Sequence, residues 1–193
     1  MRLQCWAVQC FLGAVLVSGC SVDSPAVARS IRETDGVSAG VSLGSRGESV
    51  VKRYGKPALD MANLAPAHMF PDDARLPWEF DIPTSFRTAA LRYKNISAVV
   101  RYRGSTATGE SSHVTAIIVT AMGSETLRGV RVGQSLGAAR SKYPVMRCGM
   151  AGGTNDTPEK WPVCVARVHG EYSLAFGGDP IVSITLADVA LRP

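Results

Sequence analysis

Apolar and polar positions alternate over several short stretches of this chain. Ile96, Ala98, Val100 and Tyr102 fall on one side of a period of two, with Arg101 and Arg103 on the other. Tyr172, Leu174 and Phe176 repeat the pattern, as do Val182, Ile184 and Leu186. Successive side chains leave a strand on opposite faces, so such alternation between turn residues predicts antiparallel strands with one packed face. The runs so predicted are 89–94, 96–103, 114–121, 162–168, 172–176 and 181–186. They are separated by Asn95, a polar Gly/Ser/Thr loop, Gly170 and the turn Gly177-Gly178-Asp179-Pro180.

Two segments change to helical spacing. Val50 and Tyr54 lie four apart with Val51 beside them, and Leu136, Ala139 and Tyr143 form a second stripe from which Arg140 and Lys142 point away. Ser45 and Glu48, three apart, have the spacing of a capping box. These two segments belong to an internal repeat: residues 40–54 align without a gap onto residues 129–143, with Gly40/Gly129, Val41/Val130, Gly44/Gly133 and Tyr54/Tyr143 identical. After each copy come a loop and three predicted strands, and a repeated order of elements is harder to obtain by chance than matched letters. The pattern predicts an α+β fold in which two tandem helix-plus-three-strand units, 37–126 and 127–193, form one antiparallel sheet with short helices on one face.

The first twenty residues are of another kind. Arg2 precedes an apolar run from Leu3 to Val17, interrupted by Gln4 and Gln9, and then Ser18-Gly19-Cys20. That order is a secretory signal, too short for a mature span, which needs about 20 apolar residues. Val17-Ser18-Gly19-Cys20 resembles the lipobox of bacterial lipoproteins. The resemblance implies a signal peptide over 1–19 and diacylglycerol on Cys20, and the short polar residues that follow, without an apolar period, predict a lipidated tether over 20–36. Two acyl chains hold a protein stably where one does not. The implied location is the cell membrane or the outer membrane, facing the periplasm or the exterior, and Ser21 after the cysteine resembles what permits outward sorting.

Charge and cysteine content refine this only slightly. The chain has 21 Lys and Arg against 16 Asp and Glu, and loss of Arg2 with the leader lowers the net charge from +5 to +4. No basic run of five or six appears, which disfavours nucleic acid as a partner. With Cys5 and Cys10 in the leader and Cys20 lipidated, Cys148 and Cys164 remain, and an even pair in an oxidising compartment predicts a disulfide. Two free buried thiols or a metal pair are the weaker alternatives.

The Gly-aliphatic-x-aliphatic-Gly segment that leads into a short helix ending at Tyr54-Gly55 or Tyr143-Pro144, followed by a meander, resembles the β-lactamase-inhibitor-protein-like fold and, more distantly, the small outer-membrane assembly lipoproteins of the BamE/SmpA type. The tandem form implies a concave sheet that binds another protein. The inhibitors carry a disulfide in each half, whereas here only the second half has cysteines, and no inhibitory loop can be matched. The resemblance therefore bears on architecture and assigns no functional residue.

Catalytic chemistry finds little purchase. His68, His113 and His169 have no metal-ligand spacing, no Gly-x-Ser-x-Gly elbow occurs, and Gly152-Gly153-Thr154-Asn155-Asp156 does not lead into a helix, so neither a metal nor a cofactor is expected. Asp72, Asp73, Glu79 and Asp81 lie in a proline-rich loop where solvated charge is the commoner explanation. The segment 55–86 carries Met69, Phe70, Trp78, Phe80 and Phe86 among five prolines. Long loops are uncommon unless functional or disordered, and aromatic anchors are what interfaces use, so Met69, Phe70, Trp78 and Phe80 are the candidate protein-binding residues. The same aromatics could instead plug the edge of the core. The sequence thus favours a non-enzymatic, membrane-anchored module that binds an envelope protein, as an inhibitor or assembly factor. An anchored hydrolase of cell-wall or lipid substrate using the acidic loop, or a lipid carrier, are the alternatives.

Overall fold

The computed structural model of the protein describes residues 31–60, 87–103, 106–152, 160–169 and 172–188. The chain enters through three two-residue strands, β1 (Ile31–Arg32), β2 (Val37–Ser38) and β3 (Val41–Ser42), paired antiparallel in that order. Helix α1 (Gly47–Tyr54) follows, then β4 (Ala58–Asp60), β5 (Arg87–Arg92), β6 (Ile96–Tyr102) and β7 (His113–Val119). Helix α2 (Leu136–Lys142) precedes β8 (Met146–Gly152), β9 (Lys160–Val168), β10 (Tyr172–Gly177) and β11 (Ser183–Asp188). The second sheet has eight strands in the order β4-β5-β6-β7-β11-β10-β9-β8, all pairs antiparallel. The content is α+β and mostly sheet. Each helix precedes a four-strand meander, and the two meanders meet where β7 pairs with β11, Ile117 opposite Leu186 and Val119 opposite Ile184.

One face of this sheet supplies the core. Ile96, Ala98, Val100, Ile117, Leu174, Phe176, Ile184 and Leu186 are buried against Val50 of α1, Ala139 of α2, and Ile31, Ala39 and Val41 of the small sheet. The strands alternate because their other face is polar or small, and the helices bury only the stripes that their spacing predicts: Val50 in α1, and Ala139 with Tyr143 just beyond α2. Arg140 and Lys142 are exposed, as expected. A bulge between Val99 and Val100 resets the β6–β7 register so that Val114 and Ile117 both reach the core.

Several expectations require correction. Each helix is followed by four strands, not three. The extra ones, β4 and β8, lie at the two edges of the sheet, where one side of the strand is unpaired and the sequence carries no apolar alternation. Val182 precedes β11 and is 60% exposed, so the inward residues of that strand are Ile184 and Leu186 alone. Ser45 and Glu48 form no capping box: the residue before α1 is Arg46, which makes no side-chain cap, and the Ser45 hydroxyl donates instead to the Ser42 carbonyl at 2.6 Å. Residues 31–36, assigned by composition to the end of a tether, contribute β1, with Ile31 buried.

The first amide of α1 finds its acceptor elsewhere. The Gly47 N–H donates to the hydroxyl of Ser112, which is 0% exposed and lies just before β7. The corresponding amide of α2, Leu136 N–H, donates to Asp179 Oδ1 at 3.1 Å, just before β11. Two residues beyond each cap, the chain exchanges a reciprocal pair of bonds with the turn that precedes the helix, from within β7 in the first corner and from just before β11 in the second. Gly44 N–H donates to Val114 and Val114 N–H to Ser45, while Gly133 N–H donates to Ile181 and Ile181 N–H to Gln134. Gly44 and Gly133 both have positive φ, at 75° and 97°, a conformation that favours glycine.

Cys148 and Cys164 face each other across β8 and β9 and form the expected disulfide, on the side of the sheet that carries α2. Arg140 of α2 donates to Cys148 Sγ at 3.2 Å.

Candidate interaction surface

The residues that leave the sheet away from the helices form a floor of small side chains. Reading across the strands by register, one row runs Val165, Ala175, Thr185, Ile118 and Ser97, and the next runs Ser173, Ala187, Ala116, Val99 and Ala90. No described helix or strand packs on this face, yet Ala90, Val99, Ile118, Ser173, Ala175, Thr185 and Ala187 are all buried. Val163, Ala175 and Ala187 form a second, smaller apolar cluster with Ala116, Trp161 and Val165 around it.

In the second half the floor sinks into a depression of about 250 Å³, lined by Trp161, Val163, Ala175, Gly177, Val182, Ser183 and Thr185. Its floor is small because Gly177 and Ala175 occupy β10 between two strands of larger residues; a Cβ at Gly177 would come within 2.8 Å of Ser183 Oγ. Trp161 and Val182 form its raised apolar rim. At the β8–β9 end, the register sets exposed Arg147 and Arg167 on this same face, Arg147 opposite Val165 on β8 and Arg167 two residues along β9. The arrangement offers shape, apolar area and positive charge. Among the described residues that line the depression none is titratable.

Ser173 and Thr185 are buried polar residues of this face, and the buried carboxylate lies on the other side of the fold. Glu33 is 3% exposed; its Oε1 accepts from the Tyr143 hydroxyl at 2.6 Å and its Oε2 from the Leu127 N–H at 2.9 Å. The Tyr143 hydroxyl is pushed well above its ordinary pKa, first by burial and then by its bond to the Glu33 carboxylate. Arg128 lies over the Tyr143 ring with its guanidinium carbon 4.8 Å from the centroid.

Of the residues singled out from sequence, Met69, Phe70, Trp78 and Phe80, together with His68, Asp72, Asp73, Glu79 and Asp81, lie outside the described residues, as does Cys20. His113 is exposed, its Nδ1 within 3.3 Å of the Gly44 carbonyl, and His169 is an exposed turn residue with φ 30°. The two are not brought together, and among the described residues no group of three metal-ligating side chains occurs. Among the same residues no helix is long and apolar enough to cross a membrane.

Sequence reasoning missed the depression, although the run Trp161-Pro162-Val163-Cys164-Val165-Ala166 shows that both faces of β9 are apolar. A strand buried on only one face would alternate with polar residues, so that continuity was the available signal. No family model, no curated protein and no solved structure matches this chain.

Proposed function

We propose that the protein is a non-enzymatic, membrane-anchored binding module built from a duplicated helix-and-meander unit, whose helix-free sheet face binds a protein partner in the cell envelope. The observation that carries the binding part is the depression on the floor of small residues, with Trp161 and Val182 raised beside it. Apolar area with an aromatic rim and flanking arginines is the composition of an interface core and its edge. The duplicated unit is supported by the paired corners: two glycine turns, two side-chain caps and two reciprocal hydrogen-bond pairs, which recur in the same order in both halves. It is also the arrangement that the resemblance to the β-lactamase-inhibitor-protein-like fold implies.

Anchoring rests on Val17-Ser18-Gly19-Cys20 and its position after an apolar run. Mass spectrometry of the amino-terminal peptide from membranes tests it directly. The expected species begins at Cys20 and carries diacylglycerol; a mature chain with a free Cys20 thiol contradicts it.

Binding is tested by pull-down from detergent-solubilised envelopes, comparing the unchanged chain with Trp161→Ala/Val182→Arg and with Trp78→Ala/Phe80→Ala. The depression variant should lose a discrete partner that the unchanged chain retains. Equal recovery by both would remove the depression from the interface, and loss only in the Trp78/Phe80 variant would move the interface to the 55–86 segment.

A further inference from the structure

The best-buried charge in the described fold serves neither helix capping nor the open face. Glu33 stands in a short segment, residues 31–36, that precedes the first unit and is fastened to the junction of the two units and, through Glu33, to the second. The Ile31 N–H donates to the Glu125 carbonyl at 3.1 Å, and Ile31 forms a parallel bridge with Thr126. Glu33 then takes the Leu127 N–H and the Tyr143 hydroxyl, one on each carboxylate oxygen. Gly36, at φ 63°, lies against the Tyr172 ring, where a Cβ would approach to 2.7 Å. A two-residue strand, a buried aliphatic side chain and a carboxylate on the following turn captured by two donors resemble peptide recognition by strand addition, here satisfied within one chain.

We propose that residues 31–36 are a releasable strap, latched by Glu33 onto the second half, and that unlatching it detaches the segment without unfolding the eight-stranded sheet. The contacts separate in this way because the strap lies at the margin of the fold, where β1 pairs with the two-residue β2 and the Gly36 carbonyl accepts from Leu43 N–H, whereas the central sheet is held by β7–β11 pairing and a core to which the strap contributes Ile31. Marginal elements open at lower free energy than central strands. Six residues released from the fold would extend roughly 20 Å. With lipid on Cys20, the strap would thereby set the reach between the bilayer and the binding face; that consequence rests on the anchoring reading, and the latch does not.

The latch is tested on the full-length chain in detergent by hydrogen exchange, comparing Glu33→Gln, Tyr143→Phe and the double variant. Glutamine presents an NH2 where a carboxylate oxygen was, so one of the two donors meets a donor. Exchange at residues 31–38 and at Leu127 should rise about tenfold or more in Glu33→Gln while β7 and β11 keep their protection. Tyr143→Phe, which keeps the ring, should give a smaller rise at the same amides, and the double variant should be no worse than Glu33→Gln. If strap and central sheet lose protection together, or if neither does, the strap is an ordinary part of the fold and the proposal fails. Acylation of Cys20 does not enter this readout, so failure of the anchor and failure of the latch are separately visible.

Discussion

The two corners that start the helices share a backbone and differ in chemistry. In the first, a neutral and fully buried serine, Ser112, caps an amide whose own preceding residue, Arg46, provides no side-chain cap. In the second, exposed Asp179 caps the amide of Leu136, and Ser135 also accepts from Ala138 N–H at 3.3 Å. The first corner is tight enough to require glycine: a Cβ at Gly47 would come within 2.7 Å of the Ala107 carbonyl, while its counterpart is Leu136. Only the second half carries a disulfide. One half therefore closes by burial with a single cap, and the other by exposed, redundant bonds and a covalent link.

That contrast orders the expected losses. Replacing Cys148 and Cys164 with alanine should have the largest effect, about 3 kcal/mol for a loop of this size, read as a shift of the denaturant midpoint and as faster exchange in β8 and β9. A loss confined to the first half would reverse the assignment. Ser112→Ala should follow at about 2 kcal/mol, because it leaves a buried amide without a partner. Asp179→Ala should cost about 0.5–1 kcal/mol, since water and Ser135 remain at the exposed helix start. Thermal denaturation of the two variants side by side measures the ratio; an equal or inverted ratio would break the comparison.

The smallest effect at neutral pH concerns Tyr143. Its folded pKa is raised above the ordinary value of about 10, so the bond to Glu33 contributes stability fully below that pH, and the contribution is lost as pH rises beyond it. Unfolding followed from pH 8 upward should show a decline in the unchanged chain that is smaller in Tyr143→Phe, where only the raised Tyr93 hydroxyl remains. Phenolate absorbance should place Tyr143 and, less strongly, Tyr93 later than an ordinary tyrosine in the folded protein.

What was legible in the sequence is what a period can express. Strands β6, β10 and β11 announced themselves through alternating residues, β5, β7 and β9 as apolar runs between turn residues, and both helices because Val50 and Ala139 recur with their neighbours at helical spacing. The edge strands β4 and β8 did not. β8, Met-Arg-Cys-Gly-Met-Ala-Gly, has no β-branched residue and no regular apolar face. Strands of two residues, β1 to β3, are too short for any period to appear. The strap was hidden for a different reason: Glu33 is one acid in a polar stretch, and its partners Leu127 and Tyr143 lie 94 and 110 residues away. Ser112 was hidden likewise, 65 residues from the helix that it caps. The depression is made by β9, β10 and β11 side by side, so only β9's two-sided apolar run foretold it.

The central claim, that the helix-free face of the sheet is the binding surface, is tested most directly by site-specific photocrosslinking in intact cells. A photoreactive residue at Val182 or Val165 samples that face, and one at Lys52 or Ser141 samples the helices. The account predicts one discrete adduct from Val182 and Val165, lost on substitution of Trp161, and none from Lys52 or Ser141. An adduct from the helix positions alone, or the same pattern from all four, would contradict it.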